Sequence, residues 1–417
     1  MITNPIRQSK QLQKLIEVAR PLWDHAGVRS HVRASLNKML LCGTPALGAE
    51  VFSSIDGETR IVYHTCKTRV CPSCGYFRTL RFRHEVVKHL PDIPYRGLIL
   101  TIPDRLWGIL RLNRHLLPDL VALGGGVMNG LAQECRQAEV PLIVVLHTFN
   151  PELKFKPHLH VVVGLTGLDL NGDRLVENIF FSKDMLQEHW RGDLLDRLEL
   201  EVHDGRVRSD LSKKRLLENI EYERGCLWHI EEHGCTNKHQ LLAYVARYIG
   251  RPPIANSRIL EFDVHHVRFR YRDKLDDDRV HEATISTQEF LDRLIEHIRE
   301  PYQHGVRYFG LLSPRAKSAR YDAFWRLLGQ PKPGTISPLR WAEGRYLSFG
   351  SNPLIDSWGN RMTWSHSLPA SLPQPHSEPG TARPRSARNQ AENLSQKERR
   401  ESRSRRGRKL EFDGSSG

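Results

Sequence analysis

The chain has 417 residues, a formal net charge of +14 and a pI near 9.6. That length exceeds a typical single domain, so one sizeable catalytic core with appendages is expected, and the basic balance points to an anionic partner, most simply nucleic acid. The opening Met1-Ile-Thr-Asn-Pro has no apolar signal core, and no stretch reaches the roughly 18 apolar residues of a membrane span, so a cytoplasmic protein without a membrane partner is expected.

Residues 5–40 read as helices, with Leu12, Leu15, Ile16, Val18 and Ala19 recurring on one face. The chain has seven cysteines, an odd number with three of them clustered, which argues for metal binding over a disulfide framework. Cys71-x-x-Cys74, with Pro72 inside and Gly75 after it, is a zinc-knuckle turn that holds two thiolates about one tetrahedral Zn²⁺, and Cys66 is placed as a third ligand. The fourth ligand is either Cys42 or His64; Cys42 is preferred, because three clustered thiolates more often recruit a distant cysteine. A thioredoxin-like redox pair would instead require the dithiol inside a βαβ unit, and the surroundings here are basic and turn-rich. Arg69, Arg78, Arg81, Arg83 and His84 follow, with Tyr76 and Phe77 between them, a mixture suited to a nucleic-acid surface; Arg69 and Arg78 are the DNA-contact candidates.

From about residue 92 the pattern becomes that of an α+β domain. Residues 96–103 read as a strand ending at a proline, and 105–138 as helices broken at Gly124-Gly125-Gly126. Residues 141–149 form a strongly apolar strand, and a short connection leads to Lys156-Pro-His-Leu-His-Val-Val-Val-Gly164. Alternation puts His158 and His160 on one face of that second strand, where two imidazoles can share a divalent cation; the plainer alternative is two solvent-facing polar residues. An amphipathic helix over 182–199 and a strand over 226–232 complete an antiparallel sheet with helices on one face.

Residues 236–250 read as a helix that starts at Thr236 or Asn237 and stops at Gly250, with Pro252-Pro253 beyond. Tyr244 and Tyr248 are four apart and share a face beside Arg247 and Arg251, away from the Leu241, Leu242, Val245 and Ile249 stripe. A tyrosine hydroxyl is a poor nucleophile near neutral pH unless activated, and a divalent ion held by two histidines can polarise a phosphate and stabilise the leaving oxygen. Attack by tyrosine then leaves a 5′-phosphotyrosine and a free 3′-hydroxyl. Further on, residues 264–272 alternate apolar and basic, as a sheet face meeting phosphates would, or equally an ordinary solvated antiparallel strand. Residues 287–298 form a helix introduced by Ser286-Thr287, and 315–328 a last helix. After about residue 366 the composition turns to Ser, Pro, Arg and Gln, a disordered basic tail that would add sequence-independent DNA affinity.

Taken together, the cysteine cluster 66–74, Leu146-His-Thr-Phe149 leading to Lys156-Pro-His-Leu-His160, and Tyr244-Val-Ala-Arg-Tyr248-Ile-Gly-Arg251-Pro-Pro-Ile254 resemble the two-tyrosine HUH transposases of the rolling-circle insertion-sequence ninety-one family. The likeness runs from about Cys42 to Gly329, with Val306-Arg-Tyr-Phe-Gly-Leu-Leu-Ser313 a weaker part of it. It implies an HUH endonuclease domain with an RRM/ferredoxin-like core, preceded by a small helical zinc-binding domain. His158 and His160 would hold Mg²⁺ or Mn²⁺, Tyr244 and Tyr248 would be the nucleophiles, and the substrate would be single-stranded DNA at element ends and target. Many members carry a further Cys-x-x-Cys where this chain has Ser53-Ser-Ile-Asp-Gly57, so one zinc ion is expected.

The expected organisation is a helical zinc-binding region over 1–91, a catalytic domain over 92–330, an extension over 331–365 and the tail over 366–417. The expected activity is that of a bacterial, nucleoid-associated DNA transposase using a 5′-phosphotyrosine intermediate in rolling-circle transposition. A plasmid replication initiator or relaxase with the same chemistry, and a non-catalytic zinc-containing DNA-binding regulator, are the alternatives. The third ligand of the catalytic ion, and whether the chain acts as a homo-oligomer, are left open by the sequence.

Overall fold

A computed structural model describes residues 10–235, 240, 252–273, 276–313, 319–334, 341–349 and 352–371. The expected tyrosine helix, with Tyr244, Arg247 and Tyr248, lies outside these residues, as do Arg251 and the chain beyond 371.

The first helices, α1 (Gln11–Val18) and α2 (Ser30–Leu40), precede a hairpin of β1 (Ala49–Ser53) and β2 (Thr59–Tyr63), and α3 (Pro72–His89) leads into β3 (Tyr95–Thr101). After α4 (Leu117–Arg136) come β4 (Ala138–Glu139), β5 (Pro141–Phe149), β6 (Phe155–Gly164), β7 (Gly167–Asp169) and β8 (Leu175–Val176). The helix α5 (Lys183–His203) and β9 (Ile230–Cys235) follow, then β10 (Ile259–Phe262), β11 (His266–Asp273), β12 (Arg279–Ser286) and α6 (Thr287–Ile295). The strand β13 (Val306–Gly310), the helix α7 (Ala319–Leu327) and β14 (Thr363–Leu368) close the series.

The α+β class and the antiparallel sheet are as expected. Five strands run in the order β13-β5-β6-β3-β9, every neighbouring pair antiparallel. Side chains alternate along each strand, so Leu98, Leu100, Val144, Leu146, Leu159 and Val161 share one face and pack with α4 and α5. Ile143, Val145 and Val162 point the other way, under Phe82 and Val86 of α3 and Tyr321, Phe324 and Trp325 of α7. These helices cover only one end of that second face. Continuing along it, β5 and β6 place His147, His158 and His160 beyond the apolar cover.

Two expectations fail for identifiable reasons. The glycines at 124–126 do not break the helix: α4 runs unbroken through them. A Cβ on Gly124 would stand 2.5 Å from Leu159 Cδ1, and one on Gly125 would stand 2.5 Å from the Phe309 ring. Glycine in a helix costs about 0.5–1 kcal/mol relative to alanine, whereas fully burying a leucine is worth about 1.5–3 kcal/mol, so close helix–sheet packing wins. The strand expected from Cys226 begins instead at Ile230, because the buried Trp228 donates its indole N–H to the carbonyl of Glu223 and turns the chain there.

The basic face expected over 264–272 is also largely spoken for: Arg268 bonds Glu261 and Glu282, and Arg270 bonds the carbonyl of Ser257. Ser286 caps α6 as expected, accepting from the Glu289 N–H at 3.1 Å. The N-terminal helices share one core with β10, β11 and α6, through Leu12, Leu15, Trp23 and Leu36 against Ile259, Phe269 and Phe290. At the far end, β14 pairs with β1, Ala49 opposite Leu368, so ordered strand continues past the composition change near 366.

Candidate active site and a second metal-ligand cluster

The site begins with cross-strand register. His147 on β5 lies opposite His158 on β6, and His160 is two residues further along β6, so all three imidazoles project from one face. Their ring nitrogens lie within 4.8 Å of one another. His160 is almost wholly buried, at 1% exposure, His147 is buried and His158 half-buried. His158 Nδ1 lies 2.8 Å from the carbonyl oxygen of Lys156, which can only accept, so Nδ1 carries the proton and Nε2 offers its lone pair to the cleft. His158 Nε2 and His160 Nε2 are 3.1 Å apart. Two nitrogens each about 2.1 Å from one ion would subtend about 95° at that separation, close to an octahedral right angle. The donor set therefore fits a divalent cation. His147 is the candidate for the third ligand that the sequence left open; its signal was the motif Leu146-His-Thr-Phe149, whose pairing with the His158 strand was not legible locally.

Around the imidazoles is a cleft of about 170 Å³, lined also by Thr101, Asn150, Lys156, Glu231 and Arg258. Glu231 lies opposite Ile99, and Ile99 opposite His160, so this carboxylate belongs to the same face two strands away. The strand expected over 226–232 contained Glu231, but its pairing through β3 with the histidine strand is set by sheet register, which no local pattern shows. Lys156 and Arg258 bring positive charge to the mouth, as a phosphate would require.

A second cluster lies in the N-terminal region. Cys42, Cys66, Cys71 and Cys74 are all buried, with Cys42 Sγ 3.7 Å from Cys74 Sγ and from Cys71 Sγ, and Cys66 Sγ 3.6 Å from Cys74 Sγ. Those separations are far too long for disulfides. They match the roughly 3.8 Å edge of a tetrahedron with Zn–S bonds of about 2.3 Å. The Cys66 N–H points at Cys42 Sγ, 3.3 Å away. His64 takes no part: its two ring nitrogens face the Leu47 carbonyl at 3.0 Å and Glu50 at 2.9 Å.

Three comparisons bear on this geometry. Residues 142–320 match the family model described as "Putative transposase", and residues 15–102 match the "Transposase zinc-binding domain". The transposase for insertion sequence element IS801 of Pseudomonas savastanoi pv. phaseolicola is 29% identical over 356 residues, covering 81% of this chain and 85% of that protein. Over most of its length this chain is similar to the IS91 family of transposases. "Putative transposase y4qJ" of Sinorhizobium fredii is a further relative, 27% identical over 323 residues, 74% of this chain and 81% of that protein. No solved structure matches the chain.

As a transposase the protein is a DNA-cleaving enzyme, and its four buried thiols sit in a zinc-binding domain as the donor set of a structural Zn²⁺. Among the described residues no helix is long and apolar enough to cross a membrane. Of the DNA-contact candidates, Arg69 is exposed and donates to the Gln303 carbonyl, and Arg78 donates to the Lys67 carbonyl beside the thiols. Arg247 and Arg251, like Tyr244 and Tyr248, fall outside the described residues.

The transposase braces its histidine strands with a further imidazole. His297 faces the Thr148 hydroxyl at 3.1 Å and the Leu153 carbonyl at 2.8 Å, and packs on Phe149, which stacks on His147. Burial holds it down at about 4, against an ordinary imidazole value near 6.5. Between those values the unfolded chain binds the proton and the folded one does not, so stability falls as pH drops from about 6.5 to about 4, by at most about 3 kcal/mol, and no further below. Urea unfolding across that window should show the fall in the wild type and a smaller one in His297→Gln; parallel curves would refute it.

Proposed function

We propose that this transposase cleaves and rejoins single-stranded DNA through a 5′-phosphotyrosine intermediate, in rolling-circle transposition. The observation that carries the proposal is the three-imidazole cluster of His147, His158 and His160 inside a cleft edged by Lys156 and Arg258. These histidines would hold Mg²⁺ or Mn²⁺, which when bound polarises the scissile phosphate and offsets charge on the leaving oxygen. Lys156 and Arg258 hold the flanking phosphates in register with the histidines. The hydroxyl oxygen of Tyr244 or Tyr248 forms the new bond to phosphorus as the bond from phosphorus to the 3′ oxygen breaks. The tyrosine proton ends on that 3′ oxygen, and the Glu231 carboxylate on the same sheet face is the cleft's acceptor for its passage. The linkage retains the phosphodiester energy, so rejoining by a 3′-hydroxyl needs no nucleotide cofactor. The four cysteines hold Zn²⁺ as a structural ion, and both named relatives are transposases by description, not replication initiators.

The test is to trap protein on a single-stranded oligonucleotide carrying the element end, with Mn²⁺ or Mg²⁺, and to locate the adduct by mass spectrometry. A nucleotide on Tyr244 or Tyr248 is expected. A nucleotide on another residue, or cleavage without any adduct, would overturn the mechanism.

A further inference from the structure

The segment 299–305 joins the end of α6 to β13, and four of its seven residues are tied down by hydrogen bonds or ion pairs. Arg299 donates to the Leu146 carbonyl at 2.8 Å, and its guanidinium lies directly over Gly305. Glu300 holds Arg29 at 2.9 Å and His31 at 3.1 Å. The Gln303 N–H reaches the Glu300 carbonyl at 3.3 Å, closing a four-residue turn, and the Gln303 side chain donates to the Arg114 carbonyl at 3.2 Å. From the zinc-binding domain, Arg69 donates to the Gln303 carbonyl at 2.8 Å, and the Gly305 carbonyl accepts from the Leu146 N–H at 2.8 Å.

At the tip of this clamped loop stands Tyr302, with φ +65° and a side chain 97% exposed. With Pro301 before it, Tyr302 occupies the third position of the turn, where a left-handed backbone ordinarily calls for glycine or asparagine. A bulky aromatic residue is held there against its own preference while its ring touches almost nothing in the chain. Strain maintained by a rigid surround is a mark of a preorganised contact.

The charge beside it indicates the occupant. Arg69 and Arg299 are bonded to main-chain carbonyls, and Arg69 is exposed one residue from Tyr302. The loop also meets the sheet beside the site: Leu146, which both receives and donates bonds to it, precedes His147. Gly305 lies three residues along from Tyr302, so the Tyr302 Cα stands at most about 11 Å from the Gly305 Cα.

We propose that Tyr302 is a stacking platform for an unpaired base of the DNA strand that enters the His147, His158 and His160 cleft, with Arg69 taking a neighbouring phosphate. A rigid ring facing solvent accepts any base, because every base has a π-face, and needs the base to be free of its duplex partner. The platform thus selects single-stranded over double-stranded DNA without reading sequence. This deepens the proposed action on single-stranded DNA and rests on it.

Binding of a fluorescently labelled, mixed-sequence single-stranded oligonucleotide to the full chain, measured by anisotropy in EDTA, separates this contact from the cleavage chemistry. Tyr302→Gly should weaken binding roughly 5- to 150-fold. It should do so without lowering Tm, because glycine adopts the left-handed backbone freely. Tyr302→Phe should keep wild-type affinity, since the ring and not the hydroxyl stacks. Arg69→Gln should flatten the salt dependence by about one phosphate contact, a slope change of roughly 0.7 for single strands. Wild-type affinity in Tyr302→Gly, an equal loss in Tyr302→Phe, or a wild type that binds duplex as well as single strands would overturn the proposal. Because no cleavage occurs in EDTA, the binding result stands or falls independently of the tyrosine adduct.

Discussion

Alanine at His160 should abolish metal-dependent strand cleavage while leaving DNA binding largely intact. His160 is the most buried of the three imidazoles, and its Nε2 lies 3.1 Å from that of His158, so removing it empties the middle of the donor set. The polarisation a divalent ion supplies at a phosphate is worth several kcal/mol of barrier, so cleavage should fall by about 1,000-fold or more. His147→Ala should be milder in kind: Mn²⁺ affinity should drop by at least the roughly 10- to 100-fold that loss of an outer-shell partner ordinarily costs. That drop, read by Mn²⁺ titration in the absence of DNA, distinguishes a ligand from a packing residue stacked on Phe149. Tyr244→Phe with Tyr248→Phe should behave differently from both, retaining Mn²⁺ and DNA but forming no adduct. Wild-type cleavage by His158→Ala/His160→Ala with EDTA present would remove the metal from the mechanism.

Serine at Cys42 should cost the protein its zinc and much of its N-terminal stability. The four sulfurs are spaced for one tetrahedral ion, and a structural zinc site contributes on the order of 10 kcal/mol of binding free energy to the folded state. Losing one thiolate forfeits a share of that and leaves three buried thiols around a void. The effect should reach α1 and α2, because Cys42, Cys66, Cys71 and Cys74 belong to the same core as Leu12, Trp23 and Leu36. Purified wild type should contain about one zinc per chain, Cys42→Ser clearly less, and His64→Ala the same as wild type. A normal zinc content in Cys42→Ser together with a deficit in His64→Ala would transfer the fourth ligand to His64. Limited proteolysis of the two variants gives a second reading, since only the cysteine change should expose the first helices.

The division between the legible and the hidden follows the range of the interaction. The strand over 141–149, the shared face of His158 and His160, the Ser286 cap and the Cys66, Cys71 and Cys74 cluster all rest on contacts within a few residues, where alternation, capping and turn chemistry act. The sequence alone therefore determined the α+β class, the two histidines and the family resemblance. Only the tertiary structure decided which distant residues close each cluster. His147 joins His158 and His160 through the register of β5 against β6, Cys42 reaches the other thiols across 24 residues of chain, and Glu231 enters the cleft through β3. The unbroken α4 has the same origin: Gly124 and Gly125 read as helix breakers by local propensity, and their reason for being glycine is the side chains of Leu159 and Phe309 on other strands. Arg268, within the stretch 264–272 that reads as alternating apolar and basic, meets Glu261 and Glu282 from the strands on either side. In each case the deciding partner is set by sheet register and helix packing, which depend on the whole chain closing at once and leave no periodic trace in any one segment.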